Sequence, residues 1–294
     1  MTAMSIAGGC SMSKTPDAAR PVTFGVITDL HSGRLPTFGG ALDRFYAQSP
    51  AKLAECVAFM NARRPDFLIE LGDMKDAGKD ENETLAFLDE IEGEFRKFAG
   101  PRYHVLGNHD EDRISKEQFL GRVENTGFAK ALPHYAFTVK GVRFIVLDAN
   151  YNPDGTNYDH GNFDWTKAMV PSDEIAWLGK ELKAAPGPVV VFCHQRLDDP
   201  GNPHTAINAS EVREAFASAQ GKVKAVFQGH HHEGDCKTLD GIRYVTFKAA
   251  VTGPAPTNNA YALVTVMPDG TVTVAGQRRE TSRQLGCKMP ARDE

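Results

Sequence analysis

Five short apolar runs in this chain stop on residues that bind metals or move protons, and this recurrence constrains the fold more than any other feature. The run 22–28 passes into Asp29-Leu30-His31, 67–71 into Gly72-Asp73, and 103–107 into Asn108-His109-Asp110. Later, 189–193 ends at His194 and 223–228 at Gly229-His230-His231-His232. Short continuous apolar runs read as strands buried on both faces. Such strands deliver their last side chains to the carboxyl edge of a sheet, where open α/β folds keep their ligand sites. One Asp or His after a strand is an ordinary turn former. Five independent loops have no reason to choose nitrogen and oxygen ligands each time, so the pattern points to a metal centre.

The segments between these runs define the fold class. Ser49-Pro50 has helix-start chemistry, Leu53, Cys56, Val57 and Met60 share a face, and Pro65 stops the helix that begins there. A second helix spans 80–98, with Leu85, Leu88, Ile91 and Phe95 at helical spacing and acidic residues in its first turn. Strand–helix–strand–helix–strand predicts parallel pairing. The second half reads differently. Hairpins are expected over 135–147, 236–247 and 261–275, turning at Lys140-Gly141, Asp240-Gly241 and Pro268-Asp269-Gly270. Ser172-Asp173-Glu174-Ile175 resembles a capping box, another helix covers 209–219, and 150–170 and 195–208 are long loops. No repeat or linker interrupts 21–280. The expectation is one α/β domain, a four-layer α/β/β/α sandwich of two mixed sheets with helices outside. It is flanked by a disordered or processed segment 1–20 and a tail 281–294.

A net charge of −5 provides no basic footprint for nucleic acid and no polybasic membrane patch. Any phosphate handled here must be attracted locally, by bound cations. No apolar run reaches the ~18 residues of a membrane span. Ser5-Ile6-Ala7-Gly8-Gly9-Cys10 looks like the end of a lipoprotein signal, although the charged start and apolar core of such a signal are missing. This favours a periplasmic or envelope-anchored protein, with a lipid anchor at Cys10, over a cytoplasmic one. The five cysteines show no C-x-x-C spacing; Cys236–Cys287 is a conceivable disulfide, and Cys56 and Cys193 read as buried thiols.

The candidate ligands are Asp29, His31, Asp73, Asn108, His194, His230 and His232. Asp29-x-His31 and His230-x-His232 each put two ligands on one side of extended chain. Asp73 has two oxygens and can bridge two cations, and Asn108 offers a neutral carbonyl. Mixed nitrogen and oxygen donors suit Mn, Fe, Zn or Co better than Ca or Mg. Seven ligands suffice for two ions if Asp73 is shared. Two dications bring four positive charges against two carboxylates, and the surplus binds phosphate oxygens. Ions ~3.5–4 Å apart can hold a hydroxide nucleophile and stabilise both ends of an in-line displacement.

Asp29-x-His31, Gly72-Asp73-x-x-Asp76, Gly107-Asn108-His109-Asp110, His194 and Gly229-His230-x-His232 together resemble the signature blocks of the calcineurin-like metallophosphoesterases, in the family's order. The resemblance implies that family's sandwich fold and a dinuclear-metal phosphoesterase. It puts Asp29, His31, Asp73 and His232 on one ion and Asp73, Asn108, His194 and His230 on the other. His109 would face the phosphate, stabilising the oxyanion or protonating the leaving oxygen, and Asp110 would orient His109. Asp76 would support a ligand or cap its loop, and His231 would face away. His160 and His204, in the two long loops, could line the pocket.

Softer features are similar to the Mn-dependent ADP-ribose/CDP-alcohol diphosphatase-like branch. These are Val146-Leu147-Asp148-Ala149 before an aromatic loop, Trp177-Leu178, Gly229-x-His231-x-x-Gly234-x-Cys236 and Gly276-Gln277-Arg278-Arg279. This implies manganese and cleavage of nucleoside diphosphate derivatives or related phosphodiesters; the insert 150–170 departs from that branch. Tyr151, Tyr158, Phe163 and Trp165 either stack on a base or form their own small core. Arg113 and Arg196 either contact a distal phosphate or lie on the surface. Two other functions stay open. One is a phosphomonoesterase that scavenges phosphate outside the cell. The other is a non-catalytic metal-binding protein, which missing ligands or a missing His109 would signal; none is missing.

Overall fold

The computed structural model describes residues 20–37 and 43–285. Cys10 and the expected lipidation site lie outside the described residues, as does Cys287 of the expected pairing with Cys236.

The first sheet gathers β1 (Val22–Ile27), β2 (Phe67–Glu70), β3 (Arg102–His104), β10 (Ala260–Val266), β11 (Val272–Arg278) and β12 (Arg283–Leu285) in the order β12-β11-β10-β1-β2-β3. Strands β1, β2 and β3 are parallel, and β10 to β12 add antiparallel neighbours. The second sheet is built from β4 (Tyr135–Val139), β5 (Val142–Val146), β6 (Val189–Phe192), β7 (Val223–Gln228), β8 (Asp235–Leu239) and β9 (Ile242–Thr246), in the order β4-β5-β6-β7-β9-β8. Here β5, β6, β7 and β9 are parallel and the edge strands β4 and β8 antiparallel. Both sheets are mixed, as the sequence predicts.

Alternation along each strand builds the layers. Phe24, Phe67, Phe144, Phe192 and Phe227 point between the sheets and form an aromatic core. Phe24 stacks on Phe67 with centroids 4.7 Å apart, and Phe144 meets Phe67 edge-on at 5.0 Å. The opposite faces pack on helices. Leu68 lies with Leu53 and Met60 of α1 (Ser49–Arg63) and Leu88 and Ile91 of α2 (Glu81–Phe95). Val189, Val191 and Cys193 lie with Leu178 and Leu182 of α4 (Ser172–Ala184) and Val212 and Phe216 of α5 (Ala209–Ser218). The result is the α/β/β/α sandwich, with the central strands buried on both faces and the edge strands partly exposed.

Three local expectations are corrected. Ser172 does not cap α4, because it is already the first helical residue, with Pro171 at the N-cap; Glu174 is turned inward to accept the Asp148 N–H at 2.8 Å and to pair with His134 at 3.1 Å. A short helix α3 (Lys116–Leu120), opened by a Ser115–Gln118 capping box, has no counterpart in the sequence reading. Arg283–Leu285, expected in the tail, extends the first sheet along β11.

Beneath the carboxyl edge, His104 is buried between two acids, with Nδ1 3.1 Å from Glu70 and Nε2 3.3 Å from Glu92. Burial alone would lower its pKa, but Glu92 and Glu70 push it up to about 9. The native protein thus keeps a proton that the unfolded chain releases near pH 6.5. The resulting stability is complete below about pH 6.5 and lost as pH rises towards 9. Thermal melting should show the wild-type Tm falling across this window while His104→Gln, less stable at pH 6, falls less.

Candidate metal centre

The carboxyl ends of β1, β2, β6 and β7, with the turn after β3, meet along one edge of the sandwich and carry every expected ligand. Four of these residues have left-handed backbone: Asp29 (φ 51°), His31 (φ 45°), Asp73 (φ 56°) and His230 (φ 65°). Non-glycine residues hold that conformation at a cost of about 1–2 kcal/mol each, so the surroundings must impose it. They do so through backbone hydrogen bonds between loops. The N–H groups of Asp29, His31 and Ser32 donate to the carbonyls of Gly72, Asp73 and Met74 at 3.0, 2.8 and 3.0 Å. Gly229 donates to the His194 carbonyl, and Val251 to that of Asp29. Gly229 has no room for a side chain: a Cβ there would stand 2.8 Å from Asp29 Oδ2 and 3.2 Å from His194 Nδ1.

Two triads converge, Asp29–His31–His232 and Asp73–His194–His230. In the first, His31 Nε2 is 3.2 Å from His232 Nε2, and His232 Nε2 is 3.3 Å from Asp29 Oδ1. In the second, His194 Nε2 is 3.1 Å from Asp73 Oδ2, which also lies 3.6 Å from His31 Nε2 and so links the triads. The outer nitrogens define the tautomers. His31 Nδ1 faces Asp76 at 3.2 Å and His194 Nδ1 faces the Leu71 carbonyl at 2.7 Å; each donates, which turns Nε2 to the centre, bare in His31 and protonated against Asp73 in His194. Asn108 Oδ1, His194 Nε2 and His230 Nε2 are buried without a hydrogen-bond partner among the described residues. Acceptors about 3 Å apart, aimed at each other and otherwise unsatisfied, fit cations bound at ~2.0–2.2 Å. The donor set fits two divalent transition-metal ions sharing Asp73.

Electrostatics agree. Burial alone would raise the Asp29 and Asp73 pKa values, but His232 and His194 hold Asp29 low, and His194 and His109 hold Asp73 well below the carboxylate range. Burial lowers His31 to about 4 and His230 well below its ordinary value, so both are neutral, as ligands must be. His194 goes the other way. Against its burial, Asp73 and Asp29 raise it to about 10; a cation, when bound, would take the place of that proton.

His109 faces this centre, its ring 4.8 Å from that of His31 and its backbone N–H 2.8 Å from Asp73 Oδ1. Asp110 does not orient it. The Asp110 carboxylate accepts from the N–H groups of Gly107, Asp73 and Met74, each at 2.9 Å, and so ties the second ligand loop to the third. His109 Nδ1 instead pairs with Asp112 Oδ2 at 2.7 Å. Sequence reasoning missed Asp112, although one helical turn separates it from His109. It also missed Lys75, whose buried ammonium donates to the His109 and Asp112 carbonyls at 2.6 and 2.8 Å.

The expected substrate-binding residues are placed differently. Tyr158 is fully buried, stacked on Phe163 with centroids 4.1 Å apart, so it cannot meet a ligand. Arg196 is buried because Asp198 and Asp235 neutralise it, at 2.9 and 2.7 Å, and His231 caps its remaining nitrogen. Arg113 is exposed on a left-handed turn. Of the four insert aromatics, Trp165 alone is both exposed and beside a ligand, 5.4 Å from the His230 ring. His204, from the other long loop, lies 5.0 Å from His230 and 5.2 Å from Trp165. His160 pairs with Asp159 on the surface of the insert.

A dinuclear centre on the carboxyl edges of two packed sheets, with an imidazole standing over it, is the apparatus of a metal-dependent phosphoester hydrolase. The chain belongs to the calcineurin-like phosphoesterase family, whose model matches residues 22–234. It is 27% identical to a rice protein named manganese-dependent ADP-ribose/CDP-alcohol diphosphatase, over 87% of this chain and 91% of the relative. A human protein of the same name is 22% identical over 92% and 94%. Among solved structures, a dimetal phosphatase from Danio rerio superposes with a TM-score of 0.76 at 19% identity, covering 90% of this chain and 98% of that one. A purple acid phosphatase from yellow lupin shares the fold at a TM-score of 0.59 and 12% identity, over 92% of this chain and 54% of its own.

Replacing His109 with Ala should lower turnover at least ~100-fold, with metal content and Tm little changed. Asp110→Ala should behave in the opposite way, dropping Tm by several degrees through four orphaned backbone donors, those of Gly107, Asp73, Met74 and Lys75. Steady-state kinetics and melting curves on the pair separate the two roles.

Proposed function

We propose that this chain is a manganese-dependent diphosphatase that splits the diphosphate bond of nucleoside diphosphate derivatives, releasing a nucleoside monophosphate. The observation that carries the reading is the pair of triads joined by Asp73, with three ligand atoms turned inward that have no hydrogen-bond partner among the described residues. Relatives aligned over nearly their whole length and named for ADP-ribose and CDP-alcohols support the substrate class, and their names support manganese.

Asp29, His31, Asp73 and His232 would hold one ion, and Asp73, Asn108, His194 and His230 the other. When bound, the ions supply Lewis-acid polarisation of the phosphate oxygens and lower the pKa of water. The chain supplies the rest. His109 is raised to about 9, because Asp73, Asp112 and Asp76 outweigh its burial. With Nδ1 held by Asp112, its ring would deliver a proton to the leaving phosphate oxygen. Asp76 keeps His31 in its ligand tautomer. Trp165 and His204 form an aromatic rim beside His230, where a nucleobase can stack while the diphosphate reaches the ions.

Mn²⁺-dependent hydrolysis of ADP-ribose, CDP-choline, bis-p-nitrophenyl phosphate and p-nitrophenyl phosphate, measured side by side, tests the reading. The diphosphates should have the highest kcat/KM, verified metal removal should abolish activity, and Mn²⁺ should restore it. Preference for the monoester would replace the proposal with a phosphomonoesterase. Trp165→Ala should raise KM for ADP-ribose about tenfold, the equivalent of one lost stacking contact, with kcat changed less.

A further inference from the structure

Four aspartates surround His109; Asp73 is a ligand that accepts its backbone N–H, and the geometry gives each of the other three a different task. Asp76 is committed to His31: its Oδ2 is 3.2 Å from His31 Nδ1, its Oδ1 accepts the Ala77 N–H at 2.7 Å, and His109 Nδ1 is 3.8 Å away. Asp110 is saturated by backbone N–H groups of two ligand loops. Only Asp112 is at hydrogen-bond distance from the His109 ring, with Oδ2 2.7 Å from Nδ1.

The segment carrying Asp112 is held on both sides. From below, the Lys75 ammonium binds the carbonyls of His109 and Asp112. From above, the insert is laced to it: Gly161 N–H donates to the Glu111 carbonyl and His160 N–H to that of Ile114, both at 3.0 Å, and Asp159 bridges Ser115. Within the turn, Asp112 N–H donates to the His109 carbonyl at 3.1 Å. The two side chains keep partial access to solvent, 29% for His109 and 21% for Asp112.

We propose that Asp112 is the positioning residue for His109, and that the insert 150–170 acts as its buttress. Asp112 accepts the Nδ1 proton of the His109 imidazolium, which turns the Nε2 proton towards the leaving oxygen. As the bond from phosphorus to that oxygen breaks, the oxygen takes the Nε2 proton and a water oxygen bonds to phosphorus. The water's proton goes to solvent, which later reprotonates His109. One water is consumed and the charges balance. The inference rests on the phosphoesterase reading and not on the choice of nucleotide substrate.

A proton donor matters in proportion to the basicity of the group that leaves. The test therefore compares p-nitrophenyl and phenyl esters of one phosphodiester, with the Mn²⁺-loaded enzyme. In Asp112→Ala, kcat on the phenyl ester should fall about 30-fold and kcat on the p-nitrophenyl ester less than about threefold, with KM little changed. Metal analysis should still find two ions per chain, and Asp112→Glu should recover most of the loss. An equal loss on both esters, no loss on either, or loss of bound metal would overturn the proposal. The wild-type rate on either ester reports on the phosphoesterase reading by itself, so its failure is distinguishable from that of Asp112.

Discussion

The Asp73 carboxylate is ionised where water hardly reaches it, and most of the centre is arranged around that fact. Its side chain is 1% exposed. One oxygen accepts the backbone N–H of His109; the other faces the Nε2 atoms of His194 and His31. An ion of that kind is stable only with positive charge against it. The fold supplies imidazoles that carry a proton or a metal ion but cannot satisfy the carboxylate as neutral acceptors. Positive charge, a proton on His194 or a cation in its place, is thus an electrostatic requirement of the folded edge.

Ligand precision comes from backbone more than from side-chain packing. Left-handed turns at Asp29, His31, Asp73 and His230 aim successive side chains inward, and cross-loop N–H···O bonds hold those turns. Asp110, Lys75 and Thr28 work on the same level. Asp110 and Lys75 bind main-chain groups of the ligand loops, and the Thr28 hydroxyl donates to Asp29 Oδ2 at 2.7 Å. Polar groups near the ions need not touch substrate to matter, because they decide where the ligating atoms stand.

Strand-ending ligands were legible because period and composition change together at one point: Phe67, Leu68, Ile69 and Leu71 are apolar, broken only by Glu70, and Gly72-Asp73 follows at once. The helix at Ser49-Pro50 was equally plain, and its observed limits, Ser49–Arg63, follow the Pro signal at one end and the approach of Pro65 at the other. Partner choice among neighbouring acids was not legible. Asp110 and Asp112 differ in which side of a tight 3-10 turn they occupy, and no sequence period distinguishes them. Arg196 and Tyr158 were misplaced for a related reason. Their burial depends on Asp235 and Phe163, contacts created only when β8 and the insert fold onto the edge.

Each triad takes ligands from both sheets: Asp29 and His31 follow β1 while His232 follows β7, and Asp73 follows β2 while His194 follows β6. Two bound ions would therefore act as clasps across the open lip of the sandwich, with the aromatic filling behind them as a spacer. Thickness of that filling, set by rings such as Phe24, Phe67 and Phe144, governs how far apart the lips stand. The spacing of the ligand loops is in this sense a property of the core: rings deep between the sheets set it without touching a single ligand.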